Sequence, residues 1–234
     1  MDSKNLELCK NIGKEGVETL KTKTVSIIGL GGVGTTASQI LARNGVKLRV
    51  VDKNRVLKEE MPRMTLYQVE DIGKFKAKQI KKRLEEINSN VQVKVFHEDL
   101  REENAFLLDA DLIIDVSNNF KTSLFVNEYA QKNNIPLVFC NYSGYEGNVI
   151  TIDKKQHKGP CIACLEKKLK LPPHTKEGVF SPLSTLFAGI VASVAFKNLL
   201  GIENLHCVLH VDVLEAEIKH VEVTNNKDCK FCIK

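Results

Sequence analysis

The sequence has no uninterrupted apolar run close to the roughly 20 residues that a membrane-spanning helix needs. Its first residues, MDSKNLELCK, lack the basic end and apolar core that mark a secretory signal peptide. It also lacks repeats, low-complexity segments and arginine-rich runs interleaved with aromatic residues, and such runs are typical of nucleic-acid-binding surfaces. These absences predict a cytoplasmic protein that binds neither a membrane nor a nucleic acid.

The composition has no extreme value either. The chain carries 34 basic and 29 acidic side chains, a formal net charge of +5, and lysines mix with glutamates in segments such as KAKQIKKRLEE. This mixture is typical of solvated helix faces. With 234 residues, 43% of them hydrophobic, the chain is long enough to bury its own core, and we expect residues 1–234 to form a single domain.

Short aliphatic segments alternate with helix-length segments as far as residue 141. Near-continuous apolar runs of this kind are typical of strands buried on both faces of a parallel sheet. The expected strands are 24–29, 47–52, 91–96, 111–116 and 135–141. The expected helices are 33–44, 73–88, 101–108 and 120–134. The alternation predicts an α/β fold with a doubly wound, mostly parallel, Rossmann-like sheet.

The pattern changes in the second half of the chain. The segment GNVITID has the alternation of a strand beside a hairpin partner, and the proline-containing stretch 154–182 is expected to be irregular. A small-residue helix is expected over 183–200, and two strands at 206–213 and 217–224. We expect these segments to extend the same sheet with antiparallel strands.

A glycine-rich turn joins the first strand to the first long helix. In SIIGLGGVGTT, Gly29, Gly31 and Gly34 satisfy G-x-G-x-x-G, and Asp52 ends the second strand. The first glycine permits a tight turn, the second admits a phosphate, and the third lets helix pack on strand. Asp52 is placed to accept hydrogen bonds from ribose hydroxyls. The turn, strand, helix and acidic residue together predict a nucleotide site.

An additional glycine, Gly32, gives the form G-x-G-G-x-G, and the chain here resembles the ubiquitin-activating-enzyme-like adenylyltransferases ThiF, MoeB and HesA. The likeness runs through IGKEGVETLKTKTVSIIGLGGVGTTASQILARNGV, DIGKFKAKQIKKRLEEINSNVQV, NYSGYEGNV, PCIACL, GVFSPLSTLFAG and DCKFC. The resemblance implies an enzyme in which a carboxylate attacks the α-phosphate of ATP. The products would be an acyl-adenylate and pyrophosphate, with Mg²⁺ near the phosphates.

The resemblance also implies the residues that contact ATP. Lys76 and Arg63 fall at the family's phosphate-contacting lysine and arginine and are the expected catalytic cations, because a departing pyrophosphate needs electrostatic stabilisation. Glu60 and Met64 replace an asparagine and a glutamine of the family pattern. The full set of residues expected to bind the nucleotide is Gly29, Gly31, Gly32, Gly34, Asp52, Asn54, Glu60, Arg63, Lys76, Asn118 and Asn119.

Two features depart from the family pattern in the nucleotide site. The family places an arginine before the Ile-Gly segment that reaches the partner subunit's ATP site, whereas the first arginine of this chain is Arg43. Asn118 stands where the family has a Mg²⁺-binding aspartate, and an amide oxygen ligates Mg²⁺ without contributing charge. Asp115 is close enough in sequence either to help bind the metal or simply to end its strand.

A third departure concerns a covalent relay through cysteine. Members that carry an acyl group or sulfur place a cysteine four residues before the Gly-Val of the crossover loop, and His174 stands there in this chain. Cys140 and Cys207 lie in apolar runs typical of buried, inert thiols. Cys9 has no evident activating base. We therefore expect adenylation without a covalent thioester.

Two C-x-x-C pairs remain, CIAC and CKFC. Four thiolates satisfy tetrahedral Zn²⁺ and leave no open position, which is typical of a structural site. Two disulfides or a redox role are the alternatives, and the expected reducing compartment disfavours disulfides. We expect a C-terminal zinc knuckle formed by 161–164 and 229–232, with the ligands Cys161, Cys164, Cys229 and Cys232.

The acceptor of the adenylyl group is not visible in the residues. The resemblance implies the C-terminal glycine of a ubiquitin-like sulfur-carrier protein of the ThiS or MoaD type. A small-molecule carboxylate is an alternative, as in the ubiquitin-activating-like enzyme of [Fe]-hydrogenase guanylylpyridinol cofactor assembly. A nucleotide-binding scaffold without catalysis is a third possibility. Family members are usually two-fold dimers, and a homodimer is the expected assembly.

Overall fold

The fold is built on one sheet of eight strands in the order β3-β2-β1-β4-β5-β6-β7-β8. The structure is a computed structural model that describes residues 4–154, 160–169, 178–203, 207–224, 229 and 231–232. The strands are β1 Thr24–Ile28, β2 Lys47–Val51, β3 Val93–Phe96, β4 Leu112–Asp115, β5 Leu137–Ser143, β6 Glu146–Ile152, β7 Val208–Asp212 and β8 Glu217–Val221. The first five strands pair in parallel, and the last three add in antiparallel order.

Helices flank this sheet. The α-helices are α1 Lys4–Glu7, α2 Gly13–Thr22, α3 Gly32–Arg43, α4 Lys76–Ile87, α5 Phe120–Asn133, α6 Ile162–Leu169 and α7 Ser181–Leu199. Three 3₁₀ segments connect them, Lys58–Arg63, Val69–Asp71 and Glu102–Leu108. The mostly parallel, doubly wound sheet with antiparallel strands after residue 141 confirms the fold class expected from the sequence.

Both faces of β1, β4 and β5 are buried, which explains their continuous apolar sequences. Successive side chains of a strand point to opposite faces. Thus Leu112 and Ile114 of β4 join the core cluster beneath α3, α4 and α7. Ile113 joins the second cluster, beneath α5 and α6. A one-residue shift in register would exchange the two sets of side chains, so the pattern fixes the pairing.

The stretch 154–182 is a correction to the sequence-based expectation. It was expected to be irregular, but Ile162–Leu169 forms helix α6, in which Ile162 and Leu165 are buried. Prolines at Pro160 and beyond residue 171 obscured a helical segment too short for a clear periodicity. Helix α2 is a second element that was not predicted separately from the sequence.

Helix α7 is the one helix in the described ranges long and apolar enough to cross a membrane by length and composition. Half of that apolar stretch is buried inside the protein. Its Phe187 is fully buried and stacks near Tyr142 of β5, with ring centroids 6.0 Å apart. These contacts are those of a core helix that packs on the sheet and on α3.

The site is positioned by the strand order. After β1 the chain continues to β2 and β3 on one side and then crosses to β4 on the other side. The carboxyl ends of β1, β2 and β4 therefore meet where the strand order reverses. In open α/β sheets, this switch point is where ligands bind.

Candidate active site

The glycine turn at the switch point has the geometry that its sequence predicts. Gly29 adopts φ +96°, a conformation that side chains disfavour. A Cβ there would lie 2.7 Å from Ser117 Cα. A Cβ on Gly34 would lie 2.0 Å from Gly29 O. These two glycines are therefore required by the turn itself and by the close approach of α3 to β1.

Gly31 is different, because a Cβ placed there would make only ordinary van der Waals contacts. The nearest atoms to a Cβ placed there are Arg63 Nη1 at 3.6 Å and Tyr142 Oη at 3.7 Å. Gly31 is the N-cap of α3 and provides no side-chain hydrogen bond to the helix. The start of a helix offers N–H groups and a partial positive charge, so an anion is favoured beside it.

Gly32, the additional glycine of the motif, has a packing role. A Cβ at this position would lie 2.6 Å from both Arg63 O and Ser184 Oγ. Ser184 belongs to α7 and is fully buried. The absent side chain therefore lets α7 and the Arg63 segment close directly over the start of α3.

Asp52 is fixed at the end of β2 by the turn. Its carboxylate accepts hydrogen bonds from Leu30 N at Oδ2 and from Asn54 N at Oδ1, both at 2.7 Å. The residue is only 8% exposed. Each carboxylate oxygen retains further acceptor capacity, so Asp52 can bind a ligand hydroxyl while it holds the turn.

A cleft of about 100 Å³ opens beside Asp52 at the carboxyl ends of the strands. Four residues expected to bind the nucleotide line it, namely Gly29, Asp52, Asn54 and Asn119. The other lining residues are Ile28, Val51, Lys53, Glu98, Asp99, Leu100, Ser117 and Thr122. Asn119 also caps α5, since its Oδ1 accepts from Thr122 N at 3.1 Å.

The two expected phosphate-binding cations lie together, and Glu60 joins them. Lys76 Nζ lies 2.7 Å from Glu60 Oε2 and 3.0 Å from Oε1. Arg63 Nη2 donates to Glu60 Oε1 at 2.7 Å. Lys76 is only 4% exposed although it is a lysine. The cluster combines two positive charges and one negative charge, and Arg63 places it next to Gly31 at the start of α3.

The four paired cysteines also converge. Their sulfur atoms all lie within 4.8 Å of one another, with Sγ–Sγ distances of 3.6 Å for Cys161–Cys229 and Cys164–Cys232 and 4.0 Å for Cys161–Cys164. None forms a disulfide. Ligands about 2.3 Å from a tetrahedral zinc ion would be separated by ~3.8 Å. The cluster therefore has the donor chemistry and spacing to hold a metal such as zinc.

The thiols of this cluster differ in acidity. Burial raises the pKa of Cys161 to about 11. Burial also acts to raise the pKa of Cys229, but the Phe231 N–H and the Cys164 thiol more than offset it, and the pKa falls to about 7. A thiol that ionises near neutral pH is suited to begin metal binding, since the thiolate is the ligand form.

Comparison with known proteins decides the family. The ThiF family model matches residues 3–231. The chain belongs to the ThiF family. A sulfur carrier protein adenylyltransferase of Thermus thermophilus is 35% identical to it over 234 residues, covering 94% of this chain and 86% of that protein. The sulfur carrier protein ThiS adenylyltransferase of Bacillus subtilis is 32% identical over 235 residues, and the match covers 97% of this chain and 69% of that protein.

Solved structures agree with this ThiF-family fold. A crystal structure of Escherichia coli MccB with ATP superposes with a TM-score of 0.79 at 22% identity. The match covers 92% of this chain and 68% of that chain. At this identity the likeness concerns the fold. It confirms the mixed sheet and its flanking helices.

In this ThiF-family chain, Asn118 and Asp115 have different surroundings. Asn118 adopts φ +51°, which asparagine tolerates better than most residues, and its Nδ2 donates to Tyr142 O at 3.3 Å. Asp115 is completely buried, its Oδ1 accepts from Ser117 N at 3.0 Å, and burial raises its pKa. Asp115 therefore has a structural role at the end of β4, whereas the Asn118 side chain is tied to β5 through its amide nitrogen.

The unpaired cysteines give no candidate nucleophile within the described ranges. Burial raises the pKa of Cys140, which is inaccessible. Cys207 is partly exposed rather than fully buried as expected, and burial raises its pKa too. Cys9 is exposed, and its thiol contacts Asn5 O. His174, which replaces the family's acceptor cysteine, lies outside the described residues.

Tyr67 is a site residue that the sequence reasoning missed. It is buried, and its hydroxyl donates to Leu30 O and Lys76 O, each at 3.3 Å. Burial, and then the charges of Asp52 and Glu60, raise its pKa. Tyr67 thus links the glycine turn to the start of α4. No local pattern marks it, because its role depends on segments distant in sequence.

Proposed function

We propose that this chain is an ATP-dependent adenylyltransferase that activates a carboxylate with release of pyrophosphate. The observation that carries the proposal is that Lys76 and Arg63 converge on one carboxylate, Glu60, with Arg63 next to Gly31 at the start of α3. A buried lysine and a partly exposed arginine near the start of a helix suit the phosphates of a nucleotide. ThiF-family membership and relatives named as adenylyltransferases support the reaction type.

Each site residue has a role in this proposal. Asp52 binds the ribose, Gly29 to Gly34 hold the backbone against the phosphates, and Lys76 and Arg63 bind the phosphate oxygens. A carboxylate oxygen of the acceptor forms a bond to the α-phosphorus, and the bond from that phosphorus to the bridging oxygen breaks. The electron pair leaves with pyrophosphate, whose growing negative charge the two cations stabilise. Asn54, Asn118 and Asn119 complete the polar wall.

Mg²⁺ is expected to accompany the phosphates of ATP. The one ligand that we assign to it is the amide oxygen of Asn118. A neutral amide is a weaker ligand for a hard cation than a carboxylate, so most of the coordination would come from phosphate and water. The metal would neutralise phosphate charge, and Lys76 and Arg63 remain the fixed charges supplied by the chain.

We propose that the acceptor is the C-terminal glycine of a ubiquitin-like sulfur-carrier protein. The curated relatives support this choice, since their names include sulfur carrier proteins. The other acceptor that the sequence allows, a small-molecule carboxylate, would use the same cations. The proposed setting is a cytoplasmic homodimer, and light scattering should give about twice the chain mass of 26.2 kDa.

We also propose that the cysteine cluster holds a structural zinc ion and that the chain folds as a single domain. Four thiolates fill a tetrahedral shell and leave no position for substrate or water. Cys161 and Cys164 flank the start of α6, and Cys229 and Cys232 lie near the C-terminus. The metal would therefore join the C-terminal segment to α6.

Pyrophosphate exchange tests the proposed reaction. The purified protein is incubated with ATP, labelled pyrophosphate and a small protein ending in Gly-Gly, and label in ATP is measured. An adenylyltransferase returns label to ATP only when its carboxylate is present. The control is the same carrier lacking its terminal glycine. Exchange with neither the carrier nor a panel of small carboxylates, although ATP binds, would contradict catalysis and favour a scaffold.

A further inference from the structure

The contact of Glu60 with both expected phosphate ligands is not explained by ATP binding. A carboxylate and a phosphate carry the same sign of charge, and both need the donors of Lys76 and Arg63. Glu60 already uses them, at 2.7 and 3.0 Å from Lys76 and at 2.7 Å from Arg63. In the structure described here, the two cations therefore have an internal anion as their partner.

The ion pairs of Glu60 are weakly screened by solvent, yet a change in one side chain is enough to break them. The side chains of Lys76 and Glu60 are only 5% and 15% exposed, so water screens their attraction weakly. Glu60 and Arg63 belong to the same 3₁₀ segment, Lys58–Arg63. A rotation of the Glu60 side chain can release the two cations without moving β2 or α4. Lys76 is held in place separately, by its N–H to Asn54 O at 3.0 Å.

We infer that Glu60 is a displaceable internal anion that competes with the phosphates of the nucleotide for Lys76 and Arg63. This inference rests on the proposed function. Before ATP binds, Glu60 is the anionic partner of the buried Lys76 ammonium and of the partly exposed Arg63 guanidinium. When the phosphates arrive, its carboxylate must leave both cations. After transfer it returns to them and lowers the affinity of the site for pyrophosphate, which favours product release.

The direction in which a Glu60 variant changes the affinity for anions distinguishes this role from a merely structural one. Glu60→Gln removes the competing charge while keeping nearly the same shape. If Glu60 competes with phosphate, the variant binds anions more tightly; if it only positions Lys76 and Arg63, the variant binds them more weakly. The affinity of Glu60→Gln for pyrophosphate should rise roughly tenfold to a hundredfold, the range for one charge-assisted hydrogen bond.

The test is calorimetric titration of inorganic pyrophosphate, and separately of ATP, into the unmodified protein, Glu60→Gln and Glu59→Gln. Glu59 is the neighbouring exposed glutamate, so its variant makes the same charge change without touching the cations. We expect tighter pyrophosphate binding in Glu60→Gln and unchanged binding in Glu59→Gln. Equal or weaker pyrophosphate binding in Glu60→Gln, while ATP still binds, would overturn the inference alone. No ATP binding in any of the three proteins would overturn the proposed function as well.

A second measurement applies if Glu60→Gln does not fold. The Glu60 carboxylate lies 2.7 Å from Lys76 Nζ. A crystal structure of the unmodified protein with pyrophosphate should show this contact broken, with a phosphate oxygen in place of the carboxylate. Pyrophosphate bound at Gly31 while Glu60 keeps both contacts would overturn the inference.

Discussion

Single residues carry the charge balance of the site, and Lys76 is the clearest case. A lysine that is 4% exposed loses most of its hydration, and an anion beside it offsets this cost. Glu60 supplies that anion in the structure, and phosphate supplies it under the proposed function. Arg63 shares the same partner at a position more open to solvent. Under the proposed function, the balance of these three charges would govern how tightly the site holds a polyanion.

Replacing Lys76 tests this balance. Lys76→Ala should weaken ATP binding by about 1–3 kcal/mol, because one charged hydrogen bond to phosphate is lost. The measurement is isothermal titration with ATP. Lys82→Ala is the matched control, because Lys82 lies on the same helix with an exposed side chain. Equal affinities in the two variants would contradict the assignment of Lys76 to the phosphates.

Asn118 gives a second prediction at this scale. Asn118→Asp should tighten ATP binding in the presence of Mg²⁺ but not in its absence, since a carboxylate adds charge at the expected metal position. Aspartate also tolerates the positive φ of this position. The measurement is the ATP affinity over a Mg²⁺ series. Asn133→Asp, at the exposed far end of α5, makes the same charge change as a control. If Asn118→Asp changes the ATP affinity equally with and without Mg²⁺, Asn118 does not lie at the metal position.

At the scale of elements, the site depends on how closely α3 and α7 approach. Gly32 on α3 lies against Ser184 on α7, and Phe187, one turn further along α7, packs near Tyr142 of β5. The Tyr142 hydroxyl would lie 3.7 Å from a Cβ placed on Gly31. The apolar helix α7 thus packs behind the start of α3 and the glycine turn.

Two glycine variants should therefore change stability in opposite directions. Gly32→Ala places a Cβ 2.6 Å from Arg63 O and Ser184 Oγ and should destabilise by roughly 1–3 kcal/mol through overpacking. Gly189→Ala on α7 meets nothing within 4 Å and should stabilise by about 0.5–1 kcal/mol, because alanine favours a helix. Thermal unfolding measures both. A neutral Gly32→Ala would contradict the described α3–α7 packing.

The sequence predicted elements better than it predicted contacts between them. The parallel strands and the helices between them were visible because burial on both faces leaves continuous apolar runs. Helix α6 was not visible, since eight residues among prolines give little periodicity. Asp52 was predicted from the nucleotide-binding motif, and Lys76 and Arg63 were predicted from the family resemblance. The Glu60 contacts and the position of Tyr67 depend on side chains of separate segments. Such pairings have no signature in a single sequence.

At the scale of the whole molecule, the cysteine cluster joins distant parts of the chain. Cys161 and Cys164 precede α7 in sequence, whereas Cys229 and Cys232 follow β8. A metal bound by all four would close a long loop of chain and would be lost on unfolding. Its binding energy would therefore contribute to folding.

The proposed zinc site gives a stability prediction. Elemental analysis should find one zinc ion per chain, and Cys161→Ser should lose it. If loss of the zinc ion lowers the free energy of unfolding by about 3 kcal/mol, the unfolding midpoint should fall by roughly 6–12 °C in a domain of this size. Cys9→Ser, at an exposed cysteine outside the cluster, should change neither value. A zinc-free protein with an unchanged midpoint after chelation would contradict a structural metal.

Calorimetric titration of the purified protein with ATP, with and without Mg²⁺, and separately with NAD⁺, tests the central claim most directly. The glycine turn, Asp52, Lys76 and Arg63 together predict that ATP binds, more tightly with Mg²⁺, and that NAD⁺ does not compete with it. Binding of NAD⁺ without binding of ATP would contradict the proposed adenylyltransferase while leaving the fold unchanged.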